Sequence, residues 1–506
     1  APPEQCQSLP GSPLSELSSG AFPNFVESRS RQREIFPLPL LGDKSDHFIK
    51  DAHTSRVVCR RKLRRSHCLA WINDGITALN ELGGRGLVAD SSSSISLAQR
   101  QCLDSISDAY HKVGPPPDTA YPDGALSELL RSSRFYDVER RDIQPYTKGR
   151  MAWPDVGSTP IDLESNLPTA DRHLVADWQH HLLASPAEAA ASATAAGIVR
   201  PYLDPALVAN PRVYGDFIRE LSDRGLVGFC KGSSDSRGAL RFFCVTKKNG
   251  DLRLIFDTRL LNTRFKKPVS TRLPSAAAFS NAAIHGGSSG FVATSDVKNA
   301  FYGMCVPESL AKEFSLPSCP AHLCGVRSLG GGPVPPDTPL TPYLRVLPMG
   351  WSWALHLCQR VMESIVESVV GPSRILRDRD DSLTIGPAPA HVATLKPDFS
   401  ETDCLNSCEL ACAVYVDNVA VISHSVALAE RGSCLIVSAL RRAGLIVHEI
   451  TAASSSAEFI GLQIEDGWVS VKKSRMWRLR HATLELLERG SVSGSCLLYP
   501  SPSPPP

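Results

Sequence analysis

The sequence predicts an α+β fold in which an antiparallel sheet is backed by helices. Two kinds of pattern predict it. Short apolar runs separated by turn residues read as β-hairpins, as at Phe242–Val245 and Leu252–Phe256 around Lys247-Lys248-Asn249-Gly250-Asp251. Between such runs lie stretches with helical apolar spacing, at Tyr214, Phe217, Ile218 and Leu221 and again at Ala354, Leu357, Val361, Ile365 and Val369.

Along the chain, residues 1–149 alternate Ser/Pro-rich patches with short helical segments and are expected to be poorly ordered. Ser91–Ser94 and Pro115–Pro117 read as linkers. The run Arg56–Arg65, RVVCRRKLRR, suits a phosphate-binding patch, a nuclear-import signal or a solvated helix face. Residues 150–194 are expected to be a linker. From about Ala195 the pattern tightens into the Tyr214–Leu221 helix, with Gly225 placed for a C-cap. A strand at Phe291–Thr294 ends in Asp296, and Gly350–Val370 reads as one amphipathic helix stopped by Gly371-Pro372. Pro317–Pro342 and Gly371–Leu410 are Pro-rich and polar and read as surface insertions. The last helix, Ser474–Arg489, is capped by Gly490, and the tail at 491–506 is low-complexity.

With 506 residues the chain is long enough for a sizeable core, and Lys plus Arg at 54 against 52 Asp plus Glu leaves a net charge of +2. Any nucleic-acid footprint must therefore be local. Ala rather than Met stands first, which points to a processed or incomplete chain, and nothing reads as a signal peptide. The Ala-rich stretch Ala187–Val199 is too short and weakly hydrophobic to span a bilayer. A soluble intracellular protein, cytoplasmic or nuclear and not secreted, is expected. The 15 cysteines are scattered, which favours reduced thiols over a disulfide framework. Cys404, Cys408 and Cys412 lack the CxxC or His partners of a tetrahedral site.

The sharpest local feature is Ala413–Ile422, two apolar runs around Asp417-Asn418, which predicts a hairpin carrying Asp417 at its tip. Taken alone, such a pair is explained by good turn chemistry. Asp296 also closes an apolar strand, however, and two carboxylates at adjacent strand ends suit Mg²⁺, whose hard character favours oxygen ligands over His or Cys. Two cations about 4 Å apart are what phosphoryl transfer uses to activate an attacking oxygen and neutralise a leaving pyrophosphate.

Six segments then occur in the order of the reverse transcriptase family, over about half the chain. FFCVTKKNGDLRLIFDTRLLN (Phe242–Asn262) is similar to its fingers hairpin, and SDVKNAF around Asp296 to its first palm motif. LPMGWSWAL (Leu347–Leu355) resembles the Leu-Pro-x-Gly motif and YVDN (Tyr415–Asn418) the Tyr-x-Asp-Asp motif. AGLIVHE (Ala443–Glu449) and EFIGLQI (Glu458–Ile464) are similar to the later palm strand and the primer-grip hairpin. The resemblance implies a right-hand polymerase fold, with fingers and palm at 195–470, the start of a truncated thumb at 471–490 and a disordered tail at 491–506. It implies RNA-directed DNA polymerase activity with two Mg²⁺ ions, Mn²⁺ being an alternative. It also implies an RNA or DNA template with primer, and dNTPs, as partners; no membrane and no protein partner is indicated.

Residue by residue, the resemblance makes Asp296 and Asp417 catalytic metal ligands, with Asn418 beside them and the Val297 carbonyl as a further ligand. Lys247 and Arg253 match the residues that clamp the triphosphate, where basic side chains offset phosphate charge. Phe301 matches the aromatic beneath the sugar, which leaves no room for a 2′-hydroxyl, and Met349-Gly350 the segment against the nucleotide. Each also has a plainer reading: a solvated turn for Lys247, core for Phe301, a pair with Asp257 for Arg253. Lys472, Lys473, Arg475, Arg478 and Arg480 match the thumb entrance, where phosphate contacts position a duplex, or form an ordinary basic helix face. The sequence departs from the family at Asn418, which stands where a second Asp is expected and so supplies one less negative charge. The lysine expected after AGL is absent, leaving His448 as the substitute proton donor. A catalytically inactive remnant that binds nucleic acid is the alternative reading.

Overall fold

The apolar run ending at Asp296 becomes the buried strand around which the largest sheet is built. The computed structural model describes residues 36–41, 69–81, 95–114, 126, 143–196, 203–232, 239–247, 250–284, 290–378, 383–386, 409–465 and 467–489. Two units divide the chain, 1–119 and 120–506. In the first, the helix at 69–81 holds an extended segment through Asn80, whose side chain accepts the Leu38 N–H (2.7 Å) and donates to the Leu38 carbonyl (2.9 Å). The Leu97–Val113 helix adds a bond from Gln99 Nε2 to the Pro37 carbonyl at 2.8 Å.

In the second unit, α1 (Pro211–Ser222) starts where Asn210 Oδ1 accepts the N–H of Arg212 and Val213, and it buries Phe217, Ile218 and Leu221. After Gly225 the chain enters β1 (Val227–Lys231). β2 (Arg241–Thr246) and β3 (Leu252–Asp257) form the expected antiparallel hairpin, with Gly250 at φ +88° supplying the left-handed turn residue. β4 (Phe291–Val297) follows, then β5 (Pro339–Leu344), which pairs antiparallel with β1. α2 (Ala354–Val370) stops at Gly371, φ +82°. β6 (Ile375–Leu376), β7 (Leu410–Tyr415), β8 (Asn418–Ser423), α3 (Val426–Arg442) and β9 (Val447–His448) complete the main sheet and its helices. β10 (Ser456–Phe459), β11 (Leu462–Glu465) and β12 (Trp468–Val471) form a three-stranded antiparallel sheet, and α4 (Lys473–Arg489) is the last helix described.

The main sheet has the order β6-β7-β8-β4-β9, antiparallel except for β6 against β7. It is buried on both faces. Val297, Cys412, Val414 and Val419 join the core that includes Val361 of α2 and Ile436 of α3, while Val292, Ala413, Ala420 and Ile422 face a second core with Phe459 and Ile464. Two-sided burial explains why β7 and β8 read as continuous apolar runs rather than alternating ones. Among the described residues, no helix is long and apolar enough to cross a membrane.

Several expectations are corrected here. β4 runs on through Asp296 to Val297, one residue past the expected end at Asp296. The helix expected from Gly350 begins at Ala354, because Gly350 adopts φ +105° and 349–353 form turns. Residues 150–194 are no linker: Leu163, Leu167, Trp178 and Leu182 are buried in the main core, and Trp178 Nε1 donates to Ser309 Oγ (3.0 Å). The Pro317–Pro342 stretch is not a loose insertion either. Cys319-Pro320 pairs with Pro339-Leu340, and Ala321, Val334 and Leu340 form a small core. The expectation of reduced thiols fails at one pair, since Cys319 and Cys324, five apart, are disulfide-bonded. Cys404 and Cys408, Arg56–Arg65, both linker runs and the 491–506 tail lie outside the described residues.

The buried 150–194 segment carries a test. Trp178→Ala is expected to destabilise the protein by about 3–5 kcal/mol in urea unfolding; a change within about 0.5 kcal/mol would be the behaviour of a linker.

Candidate functional site

The hairpin β7–β8 closes on the pair Tyr415↔Asn418, so its turn residues are Val416 and Asp417, not the Asp-Asn pair the sequence suggested. Asn418 is the first residue of the return strand. Val416 sits at φ +55° while Asp417 keeps a negative φ, which is the pattern of a II′ turn, where glycine is the usual first residue. A β-branched residue there costs about 1–2 kcal/mol. Contacts from other elements hold it. Gln359 of α2 accepts the Val416 N–H on Oε1 at 2.7 Å, and the Val297 N–H donates to the Asp417 carbonyl at 2.8 Å.

Register does the rest. Asp296 on β4 lies between Asn418 on one side and His448 on the other. His448 Nε2 is 2.8 Å from Asp296 Oδ1, and Asn418 Nδ2 donates to Asp417 Oδ1 at 2.8 Å. Burial, and then the neighbouring Asp296 charge, push the Asp417 carboxyl up to about 6, with Arg253 opposing the rise. Burial also raises Asp296, against the lowering effect of His448. Asp417 resists ionisation through burial and the Asp296 charge, and Asp296 through burial and the nearby Glu449 charge, so the pair is short of positive charge.

Of the other residues singled out, Arg253 stands on β3, exposed, with no ion-pair partner among the described residues. Asp257 is instead bridged by Arg259, at 2.8 and 2.7 Å, so the plainer reading of Arg253 fails. Its charge reaches Asp417. The Met349-Gly350 turn is locked to the end of β3: the Gly350 carbonyl accepts from Thr258 Oγ1 (2.6 Å) and Asn262 Nδ2 (3.0 Å), and Asn262 Oδ1 accepts the Ser352 N–H (2.9 Å). A Cβ at Gly350 would lie 3.0 Å from Thr258 Oγ1 and 3.3 Å from the Phe256 carbonyl, and φ +105° is a conformation that side chains rarely adopt, so glycine is favoured there. Phe301 is half-buried against the main core, and Lys247 opens the β2–β3 loop. No hydrogen bond or ion pair joins Lys247, Phe301 or Met349 to the aspartates among the described residues.

On the basic segment, Lys472 is paired with Glu458 at 2.8 Å, Lys473 is exposed, and Arg475 and Arg478 are partly buried on α4. Arg480 lies over the Trp477 ring, 5.5 Å from its centroid. Among the described residues no group of three or more His, Cys, Asp or Glu forms a metal cluster, so a cation here would rest on the Asp296–Asp417 pair and backbone oxygen. The contributions of Gln359, Thr258 and Asn262 were missed from the sequence. No signal marked Gln359, because it stands with Arg360, Glu363, Ser364, Glu367 and Ser368 on what reads as an ordinary polar face of α2.

No protein-family profile matches this chain, and no curated protein matches it. Among solved structures it is similar to a foamy viral protease-reverse transcriptase in complex with double-stranded DNA, at 13% identity and a TM-score of 0.34. That match covers 52% of this chain and 35% of the other, so this chain spans about a third of that protein. A likeness this slight fixes neither fold nor function.

The raised carboxyl sets a pH dependence. Asp417 binds its proton more tightly folded, at about 6, than unfolded, near 3.8, so its burial costs stability increasingly as pH rises through that window. In metal-free protein Asp417→Asn is therefore expected to be about 3 kcal/mol more stable than the parent at pH 7, a gain that falls to about 0.5 kcal/mol by pH 4. Chemical denaturation across pH 4–8 checks it, and a gain that does not depend on pH would contradict it.

Proposed function

We propose that this chain is an RNA-directed DNA polymerase of a retroelement, adding dNTPs to a primer 3′-hydroxyl. The observation that carries the reading is the register Asp296↔Asn418, which sets the two aspartates of SDVKNAF and YVDN side by side on one sheet. The donor set fits divalent cations: two hard carboxylates, both raised by burial, whose repulsion a cation relieves. Asp296, Asp417 and the Val297 carbonyl are proposed to hold two Mg²⁺, or Mn²⁺. Bound there, the ions would supply Lewis-acid activation of the attacking oxygen and charge stabilisation of the leaving group.

Other residues take their proposed roles around this pair. Arg253 and Lys247 bind the triphosphate, Arg253 being supported by its exposure, by the lack of an ion-pair partner among the described residues and by its reach to Asp417. Phe301 underlies the sugar and selects dNTPs. Met349-Gly350, held by Thr258 and Asn262, presents backbone to the nucleotide. Lys473, Arg475 and Arg478 contact the template–primer backbone, whereas Lys472 must first release Glu458. His448 enters differently from its expected part as proton donor. Its bond to Asp296 gives it a place beside the proposed cation ligand.

A second reading, a nucleic-acid-binding chain without catalysis, is favoured by two contacts: Asn418 occupies one Asp417 oxygen and His448 one Asp296 oxygen. Primer extension on poly(rA)/oligo(dT) with dTTP and Mg²⁺ separates the two. Asp417→Ala is expected to lower extension by about two to three orders of magnitude, the loss of several kcal/mol of charge stabilisation. Asn418→Asp is expected to lower the Mg²⁺ needed for half-maximal extension by about tenfold, one added ligand charge. No extension by either the parent or Asn418→Asp, in folded protein that still binds template–primer, would establish the second reading.

A further inference from the structure

We infer that Gln359 is a positioning residue for the cation site, holding from behind the sheet the turn that carries Asp417. The inference rests on the proposed reading of Asp296 and Asp417 as cation ligands.

Gln359 lies mid-way along α2 and is 0% exposed, among apolar neighbours such as Leu357, Cys358 and Val361. A carboxamide in such surroundings persists only when its hydrogen bonds are made. All its strong positions are used: Nε2 donates to the Val414 carbonyl (2.8 Å) and to Glu363 Oε1 (2.8 Å), and Oε1 accepts the Val416 N–H (2.7 Å). Two of the three bonds end on the hairpin, on either side of Tyr415. They therefore fix the path of the backbone as it leaves β7 and enters the left-handed Val416 conformation, φ +55°.

The orientation of the amide is itself determined. Val414 O and Glu363 Oε1 are both acceptors, so only the NH₂ end can face them, and the oxygen is left for Val416. Glu363 is anchored in turn through its other oxygen by Arg360 and by Arg377 Nη2 (3.1 Å), and Arg360 is bound to Asp171 at 2.7 Å. A chain of contacts thus runs from the 150–194 segment through α2 to the turn. Glycine would hold this turn without help; valine is held there by Gln359. Gln359 touches neither aspartate side chain, so its effect passes through the backbone between Val416 and Asp417.

The test uses the full chain and Mn²⁺ alone as probe, with free Mn²⁺ followed by electron paramagnetic resonance and folding by thermal denaturation. Gln359→Leu is expected to raise the Mn²⁺ dissociation constant about tenfold, as loss of an outer-shell contact does. Val361→Ala, equally buried on the same helix, is expected to lower Tm with Mn²⁺ affinity within about twofold of the parent. Adding Val416→Gly to Gln359→Leu is expected to restore at least about threefold of the lost affinity, because glycine removes the strain that Gln359 offsets. Gln359→Met, whose flexible side chain fills the same space, takes its place if the Leu variant does not fold.

Mn²⁺ binding that Asp417→Ala removes but the Gln359 variants leave unchanged would overturn the role of Gln359 alone. So would an equal weakening by Val361→Ala, or no rescue by Val416→Gly. Mn²⁺ binding unaffected by Asp417→Ala, or absent from the parent, would overturn the cation-site reading and this inference with it.

Discussion

The register of β4 against β8 is the constraint on which everything else at this site depends. Side chains alternate along a strand, so Val292 and Asp296 face one side of the sheet and Val297 the other. A slip by one residue would turn Asp296 onto the helix-covered face and exchange the side chains that now pack in the two cores. The same apolar interdigitation that stabilises the sheet therefore fixes the position of the acid. β9, on the other edge of β4, brings His448 to the same residue, so Asp296 is framed on both sides by polar groups within an otherwise apolar sheet.

Placing two carboxyls at the end of such a sheet is costly in itself. Burial disfavours ionising either one, and the Asp296 charge adds to the resistance of Asp417, which is why Asp417 is pushed up to about 6. A fold selected only for stability would put amides or apolar residues there, and at one neighbouring position, Asn418, an amide stands already. That Asp296 and Asp417 remain acids, with Arg253, which has no ion-pair partner among the described residues, acting on one of them, is the pattern that the proposed cation site would need. The strained Val416 turn and the glycine-dependent Gly350 turn are both held by side chains from other elements, Gln359 in one case and Thr258 with Asn262 in the other.

Much of this was legible in the sequence. The hairpin around Asp417, the strand leading to Asp296 and the β2–β3 hairpin announce themselves through local apolar runs and turn residues, and the structure forms each of them. What the sequence concealed was set by distant contacts. Val416 rather than Asn418 occupies the turn because of the pairing of Tyr415 with Asn418 and the reach of Gln359, neither of which leaves a local pattern. Trp178 and Leu182 sit in a polar-looking segment whose partners, Lys266 and Ser309 among them, lie far along the chain, so the segment reads as a linker until its packing is seen. The Cys319–Cys324 pair and the small core around Val334 were hidden in the same way by a proline-rich composition.

The central claim is that Asp296 and Asp417 together hold divalent cations. Diffraction from crystals equilibrated with Mn²⁺, with data collected at the manganese absorption edge, tests it most directly. The account predicts anomalous manganese density at Asp296 and Asp417. A manganese peak elsewhere in the molecule, or ordered Asp296 and Asp417 with no peak at them at saturating Mn²⁺, would contradict it.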